Sequence, residues 1–380
     1  MEQLSRTRVD LEPLVPEAAS PAWHADDFRR IESLRFPLIA SVVFLHNGTT
    51  TTQAGNRSLG VSNPEPVVTL VITLFSQGFA LLRVPAFFLL AGYLFFRGVT
   101  PRLASYQGKI RRRVDSLLVP YLFWNLALLA LIAIGQAWPF WQAHMSGNGA
   151  PRIAAFEVRD FLNALLGLDG FPIAYQFWFV RDLMVLVLLS PLIGLLIRHA
   201  AVAYIGALAL AWLASAWSLP GLNPGPLLFF SLGGALSLKD ASLFRMDRHV
   251  GLLLPAYLFL SLVSVMPIDL PFRGEMQKIT LLLGIPCVFW ATRFLVHPRL
   301  DWMTVGLASS SFLLFAMHEP LLSIVRKLAY LTVRPESSVA LLLLYFIVPV
   351  LVLGIVVGVH RLAVKAAPRA LSVVTGGRGC

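Results

Sequence analysis

Two ionisable residues stand in one apolar run near the start of the chain: Arg35 and, eleven positions on, His46, with Phe36 to Leu45 between them almost wholly apolar. In a helix rising 1.5 Å per residue the pair is roughly 16 Å apart, about half of a hydrocarbon core of roughly 30 Å. With Arg35 at a membrane face, His46 falls near the midplane, where an ionisable group is costly and marks a functional site. A neutral imidazole is a base near pH 7, and a hydroxyl that attacks an acyl carbon must give up its proton. The residue type therefore suits acyl transfer to a hydroxyl. The plainer alternative makes Arg35 an interfacial arginine and His46 a helix-end histidine wetted from outside. The next residues, Asn47 to Gln53, are too polar for lipid. The helix thus leaves the hydrocarbon halfway, into a cavity open to water or substrate.

Four further polar groups interrupt apolar stretches. Lys109, Arg111, Arg112 and Arg113 lead directly into an apolar run at Val114. They serve topology and anionic lipid, or they clamp the phosphates of a ligand, a task guanidinium forks do well. Arg83, with Pro85 two residues later, breaks the run 67–96; facing lipid it would cost several kcal/mol, so it faces the interior or a wet cleft. Gly92 in the same run allows another backbone to come close. Trp178, Arg181 and Asp182 open a fourth run, where the two charges neutralise each other or pair with other helices. His318 and Glu319 follow three consecutive serines, Ser309 to Ser311, late in a ninth run. Adjacent helical residues diverge by about 100°, so one of the two can reach the cavity that holds His46.

Composition says what positions these groups. Hydrophobic residues make up 57% of the 380 and charged residues only 13%, with a mean hydropathy of +0.72. A soluble chain carries about 25% charged residues, so the fold class is an all-α, polytopic membrane protein. About ten spans are expected, at 36–48, 67–96, 114–137, 173–197, 201–218, 224–238, 250–267, 277–297, 302–323 and 338–360. With both termini cytoplasmic, 21 of the 31 Lys and Arg residues fall on the inner side and eight, Arg326 among them, in outer loops, as orientation by positive loops requires. The domain reading is a cytoplasmic tail at 1–27, one transmembrane domain at 28–362 and a second tail at 363–380. No signal peptide is expected, because acidic residues occupy the first thirty positions where an apolar core is needed. Cys287 and Cys380 offer neither a disulfide framework nor metal spacing. The net charge of +11 is spent on membrane orientation and anionic lipids, so no nucleic-acid partner and no metal is expected.

Taken together, these blocks resemble the membrane-bound acyltransferase 3 family, which O-acylates bacterial surface glycans. The resemblance is carried by Arg29 to Arg35 with the Arg35-to-His46 spacing, by Arg83 to Leu94, and by Lys109 to Arg113 with Leu117 to Tyr121. It continues through Trp178 to Leu183 and Ser311 to His318. Departures from the family pattern are Glu32 for the usual Asp, Ala91 for a common Ser, Lys109 and Arg112 at the Arg-x-x-Arg spacing, and Ser116 at a second basic position. The resemblance implies ten spans in the bacterial inner membrane, an acyl-CoA donor, here acetyl-CoA, and a sugar acceptor on the far side. That acceptor is an exopolysaccharide, a lipopolysaccharide or a lipid-linked oligosaccharide precursor. It implies His46 as general base or transient acyl carrier, with Glu32, His318 and Glu319 in the catalytic set. Arg35, Lys109, Arg111, Arg112 and Arg113 would hold the CoA phosphates, and Arg83, Trp178, Arg181 and Asp182 the acceptor. Two other classes compete. A polyol or sugar transporter should show paired half-chain symmetry, and a glycan polymerase should carry a large outer loop rich in arginine.

Overall fold

A computed structural model describes residues 25–54, 57–138, 151–297, 300 and 306–378. Most of the tail read at 1–27, the start of the ninth run at 302–305, and Cys380 lie outside these residues. Helix α1 (Ala25–His46) runs unbroken through both Arg35 and His46, so the axial offset expected between them holds. Directly after it come strands β1 (Thr51–Ala54) and β2 (Arg57–Gly60), paired antiparallel with Thr51 opposite Gly60. This ribbon departs from the all-α expectation. Its β-branched threonines favour extended backbone, and Gly60 turns the chain at φ +111, where a Cβ would land on the carbonyl oxygen of Thr50.

Helix α2 (Pro66–Thr73) begins with its proline at a position that needs no donor. It loosens into a π-helical turn, Leu74–Phe79, then a tight turn, Ala80–Leu82, before α3 (Arg83–Phe96) resumes. The break expected at Arg83 and Pro85 therefore lies just before them. Pro85 sits in the first turn of α3, where the missing N–H costs nothing. Helix α4 (Leu103–Ala137) has 35 residues, about 52 Å, far more than a hydrocarbon core needs. Its basic start can thus project beyond the lipid.

A short α5 (Val158–Leu166) ends at Gly167 in the left-handed conformation. Then come α6 (Trp178–Leu188) and α7 (Ser190–Leu213), the latter kinked at Ala200. The boundary read between the fourth and fifth runs is that kink, not a loop. The rest comprises α8 (Pro224–Leu238), α9 (Val250–Val265), α10 (Arg273–Ala291), α11 (Ser311–Val333), α12 (Ser338–Ala366) and α13 (Pro368–Thr375). Residues read as a C-terminal tail thus extend α12 and form α13, which packs on α4.

Among the described residues, five helical stretches are long and apolar enough to cross a bilayer: 66–96, 103–137, 190–213, 247–265 and 338–366; α8 is apolar but shorter. Their outward faces carry large exposed hydrophobics, such as Val119, Phe123, Leu126 and Leu131 on α4, and Leu343, Ile347 and Val350 on α12. Apolar surface on that scale calls for lipid. The chain is a membrane protein.

Two apolar cores lie within, and α1 enters both. Ile31, Leu34 and Leu38 join α3, α7, α8 and α10, while Ile39 and Val43 join α2, α4, α11 and α12. At the crossing of α3 and α8 the backbones touch. A Cβ on Gly92 would strike the carbonyl oxygen of Phe230, and one on Gly233 that of Leu89. That reciprocal contact is the close approach expected of Gly92.

Candidate active site

His46 is the last residue of α1, where backbone carbonyls lack helical partners. Arg326 of α11 donates to the His46 carbonyl at 3.0 Å, a cation at a helix C-terminus, where the dipole favours it. Just beyond, Asn47 donates to the carbonyl of Tyr345 at 2.9 Å, and Ser76, from the π-helical turn, lies 2.9 Å from the Tyr345 hydroxyl. The irregular turn after α2 therefore fixes the end of α1.

Around the imidazole the geometry is specific. The Tyr175 hydroxyl lies 3.0 Å from His46 Nδ1 and donates to Glu319 Oε1 at 2.8 Å. Its single proton being given to the carboxylate, the phenol oxygen must accept from Nδ1–H. That fixes the neutral tautomer and leaves the lone pair on His46 Nε2. His318 stands beside it, ring centroids 5.5 Å apart, wholly buried. Its Nδ1–H donates to the Phe315 carbonyl at 2.7 Å, and its Nε2 has no partner among the described residues. Glu319 keeps its second oxygen, Oε2, likewise without a partner. Arg83 is buried within electrostatic reach of His46, His318 and Tyr175. His46, His318, Glu319 and Arg83 thus come together; His318 and Glu319 both reach the site, although the sequence allowed for one.

Sequence reasoning missed Tyr175 and read Arg326 as an outer-loop charge. Tyr175 is held from both sides: Asn125 accepts from the Ala174 N–H at 3.0 Å, and Gln176 donates to the Ala316 carbonyl at 3.0 Å. The loop before it is held by Arg181, which donates to the carbonyls of Gly167 and Gly170 and pairs with buried Asp182 at 2.9 Å. Arg181 and Asp182, assigned to the acceptor on sequence, here position the segment that carries Tyr175. Trp178 packs against Phe88 and Phe179.

Glu32 is not brought to the imidazoles. It pairs with Arg35 at 2.8 Å, about 21 Å up the axis of α1 from His46. Lys109 donates to the carbonyls of Phe95 and Arg97, so two of its three donors brace the end of α3. Arg111 and Arg112 are exposed, and Arg112 donates to the Gly108 carbonyl at 3.3 Å. Arg113 turns inward, within electrostatic reach of Arg35 and Arg112. Arg35, Arg112 and Arg113 make one cationic patch.

The arrangement is an imidazole with an assigned lone pair, a second imidazole and a carboxylate at one end of α1, and guanidinium groups toward the other. Over 362 aligned residues, 92% of this chain and 92% of the relative, it is 25% identical to the succinoglycan biosynthesis protein ExoH of Rhizobium meliloti (strain 1021). No solved structure matches it. Residues 28–360, which carry every group described above except α13, match the acyltransferase domain, and the chain belongs to the acyltransferase 3 family.

Proposed function

We propose that this acyltransferase works in the bacterial inner membrane, moving an acyl group, in the simplest case acetyl, from cytoplasmic acyl-CoA to a sugar hydroxyl. The acceptor is a surface polysaccharide or its lipid-linked precursor, and the similarity to a succinoglycan biosynthesis protein favours an exopolysaccharide. In this reading the chain spans the membrane ten times with both termini inside, as the positive-loop rule favours.

The observation that carries the proposal is the direction of α1. It leads from the guanidinium patch at Arg35 to the imidazole pair at His46 and His318, across roughly 16 Å. Arg35, Arg112 and Arg113 receive the donor phosphates at the inner face. The extended thioester arm then reaches His46 without CoA crossing the membrane. His46 Nε2 removes the proton from the sugar hydroxyl as that oxygen attacks the thioester carbonyl, and Tyr175 and Glu319 steady the imidazolium that forms; the C–S bond then breaks, and CoA leaves as a thiolate that takes the proton back from Nε2, so the imidazole is restored. Buried Arg83 offers a positive field for the charge that develops on the carbonyl oxygen.

Purified protein in detergent, offered acetyl-CoA with and without glycan, should release free CoA only when the glycan is present. His46→Ala should lower that release by about 10²–10⁴-fold while leaving the protein folded and inserted. Undiminished transfer by the variant would remove His46 as the base.

A further inference from the structure

Residues 368–378 bring a further guanidinium to the cationic patch. Helix α13 is not a loose end: Leu371 and Thr375 are buried, and Trp124 of α4 donates to the Val374 carbonyl at 3.0 Å. The chain then turns through Gly376 and Gly377, both at positive φ, and a Cβ on Gly376 would strike the carbonyl oxygen of Ser116. Only glycine lets this turn lie flat on α4. The turn aims Arg378 inward, where it donates to Ser116 Oγ at 3.3 Å and stands 5.2 Å over the ring of Phe312.

Two further guanidinium groups, Arg113 of α4 and Arg35 of α1, stand within electrostatic reach of Arg378. Burial, then the nearby charges of Arg113 and Arg35, pulls the Arg378 guanidinium down to about 10. Glu32 pairs with Arg35, but among the described residues no carboxylate pairs with Arg113 or Arg378. Beside the cluster, an open cleft of about 360 Å³ runs between Arg112, Asp115 and Ser116 of α4 and Ser372, Gly376 and Gly377. Arg113 and Arg378 are half-buried while Arg35 stays partly exposed, and like charges drawn together in this way repel unless an anion joins them. Phosphate fits guanidinium forks, whose planar donors match its oxygens.

We infer that Arg378, carried onto α4 by the turn at Gly376 and Gly377, joins Arg35 and Arg113 in a phosphate-binding pocket. The inference deepens the acyl-CoA reading and rests on it for the identity of the ligand, but the phosphate chemistry has two sources, a nucleotide donor or an anionic lipid headgroup. In the first case the Arg378 guanidinium pairs with the donor's phosphates.

The test uses the full-length protein and equilibrium binding, not turnover. Wild type, Arg378→Ala, Arg378→Lys and Arg369→Ala are titrated with free CoA and with inorganic pyrophosphate in neutral detergent. They are then compared for retention of phosphatidylglycerol in nanodiscs of mixed neutral and anionic lipid. Arg369 is an exposed basic residue on α13, so its variant controls for net charge. Arg378→Ala should weaken CoA or pyrophosphate binding by about 10- to 100-fold, as loss of a charge-assisted pair implies. Arg378→Lys should recover part of it, and Arg369→Ala should bind as wild type does. Loss of phosphatidylglycerol retention in Arg378→Ala, with no CoA binding by any protein, upholds the pocket, makes lipid its source and counts against the acyl-CoA reading. Unchanged binding of all three anions by Arg378→Ala overturns the pocket. A glycan assay that detects no transfer leaves these binding results standing, so the two proposals fail separately.

Discussion

Tyr175 touches His46 at Nδ1 across 3.0 Å while its own proton goes to Glu319, so the phenol is a relay that orients the imidazole. A carboxylate acting through a phenol sets which ring nitrogen keeps its lone pair. Tyr175 does this from a single 3-10 turn, Tyr175–Phe177, held by Asn125, Gln176 and the Arg181 clasp.

Replacing Tyr175 by Phe keeps the ring and removes the relay. Nδ1 then loses its acceptor, and both neutral tautomers become populated. We expect kcat to fall roughly tenfold, in line with the loss of one buried hydrogen bond and of the assigned tautomer, with the donor KM unchanged. A purely structural Tyr175 would instead lower the thermal midpoint and leave kcat per folded molecule as it was. Steady-state kinetics beside detergent melting curves separate the two.

The paired imidazoles invite a double-mutant cycle. His46 and His318 stand 5.5 Å apart, ring to ring, and both have a bare Nε2 in the tautomers their partners set. Groups acting as one unit give strongly non-additive losses. We expect His318→Ala to lower kcat in the wild-type background and to cost nearly nothing more once His46 is Ala. Additive losses would mean that His318 supports the fold and takes no part in the proton chemistry.

Much of this was legible in the residue order, and what was not has physical reasons. Arg35, His46 and Arg83 stand out because charge in an apolar run has to be explained, and Gly92 because a small residue in such a run invites close contact. Tyr175 gives no such signal: an aromatic at the head of an apolar run reads as an interfacial belt. Arg326 was assigned by topology, since charge near a span's end is ordinarily a loop charge, yet a continuous α11 turns it back onto the end of α1. The inward turn at Arg378 depends on two glycines whose positive φ has no counterpart in hydropathy. Lys109 is the reverse case: within a basic run nothing in the sequence marks the amine that gives two of its donors to backbone carbonyls.

That difference between Lys109 and Arg113 is measurable. Lys109 donates to the carbonyls of Phe95 and Arg97 at the end of α3, so Lys109→Ala leaves those acceptors unpaired at a cost of about 1–3 kcal/mol. The thermal midpoint in detergent should drop while the donor KM stays put. Arg113→Ala should do the opposite, raising the donor KM about tenfold or more with little change in midpoint. If Lys109→Ala raised KM as much as Arg113→Ala does, its amine would belong to the donor site after all.

The crossing of α3 and α8 tests whether the scaffold positions the site. Gly92 and Gly233 each lie against a carbonyl oxygen of the other helix, leaving no room for a methyl group. Gly92→Ala must push the helices apart or bend one, and overpacking of this kind costs about 1–3 kcal/mol. Arg83 opens α3 and is buried near both imidazoles, so a shift of α3 also moves a charge at the site. Gly354→Ala on α12 is the control, because nothing stands within 4 Å of the added Cβ there. Gly92→Ala should lower both the midpoint and kcat, and Gly354→Ala neither. If the two variants melted together, the close contact between α3 and α8 would not be holding the scaffold in place.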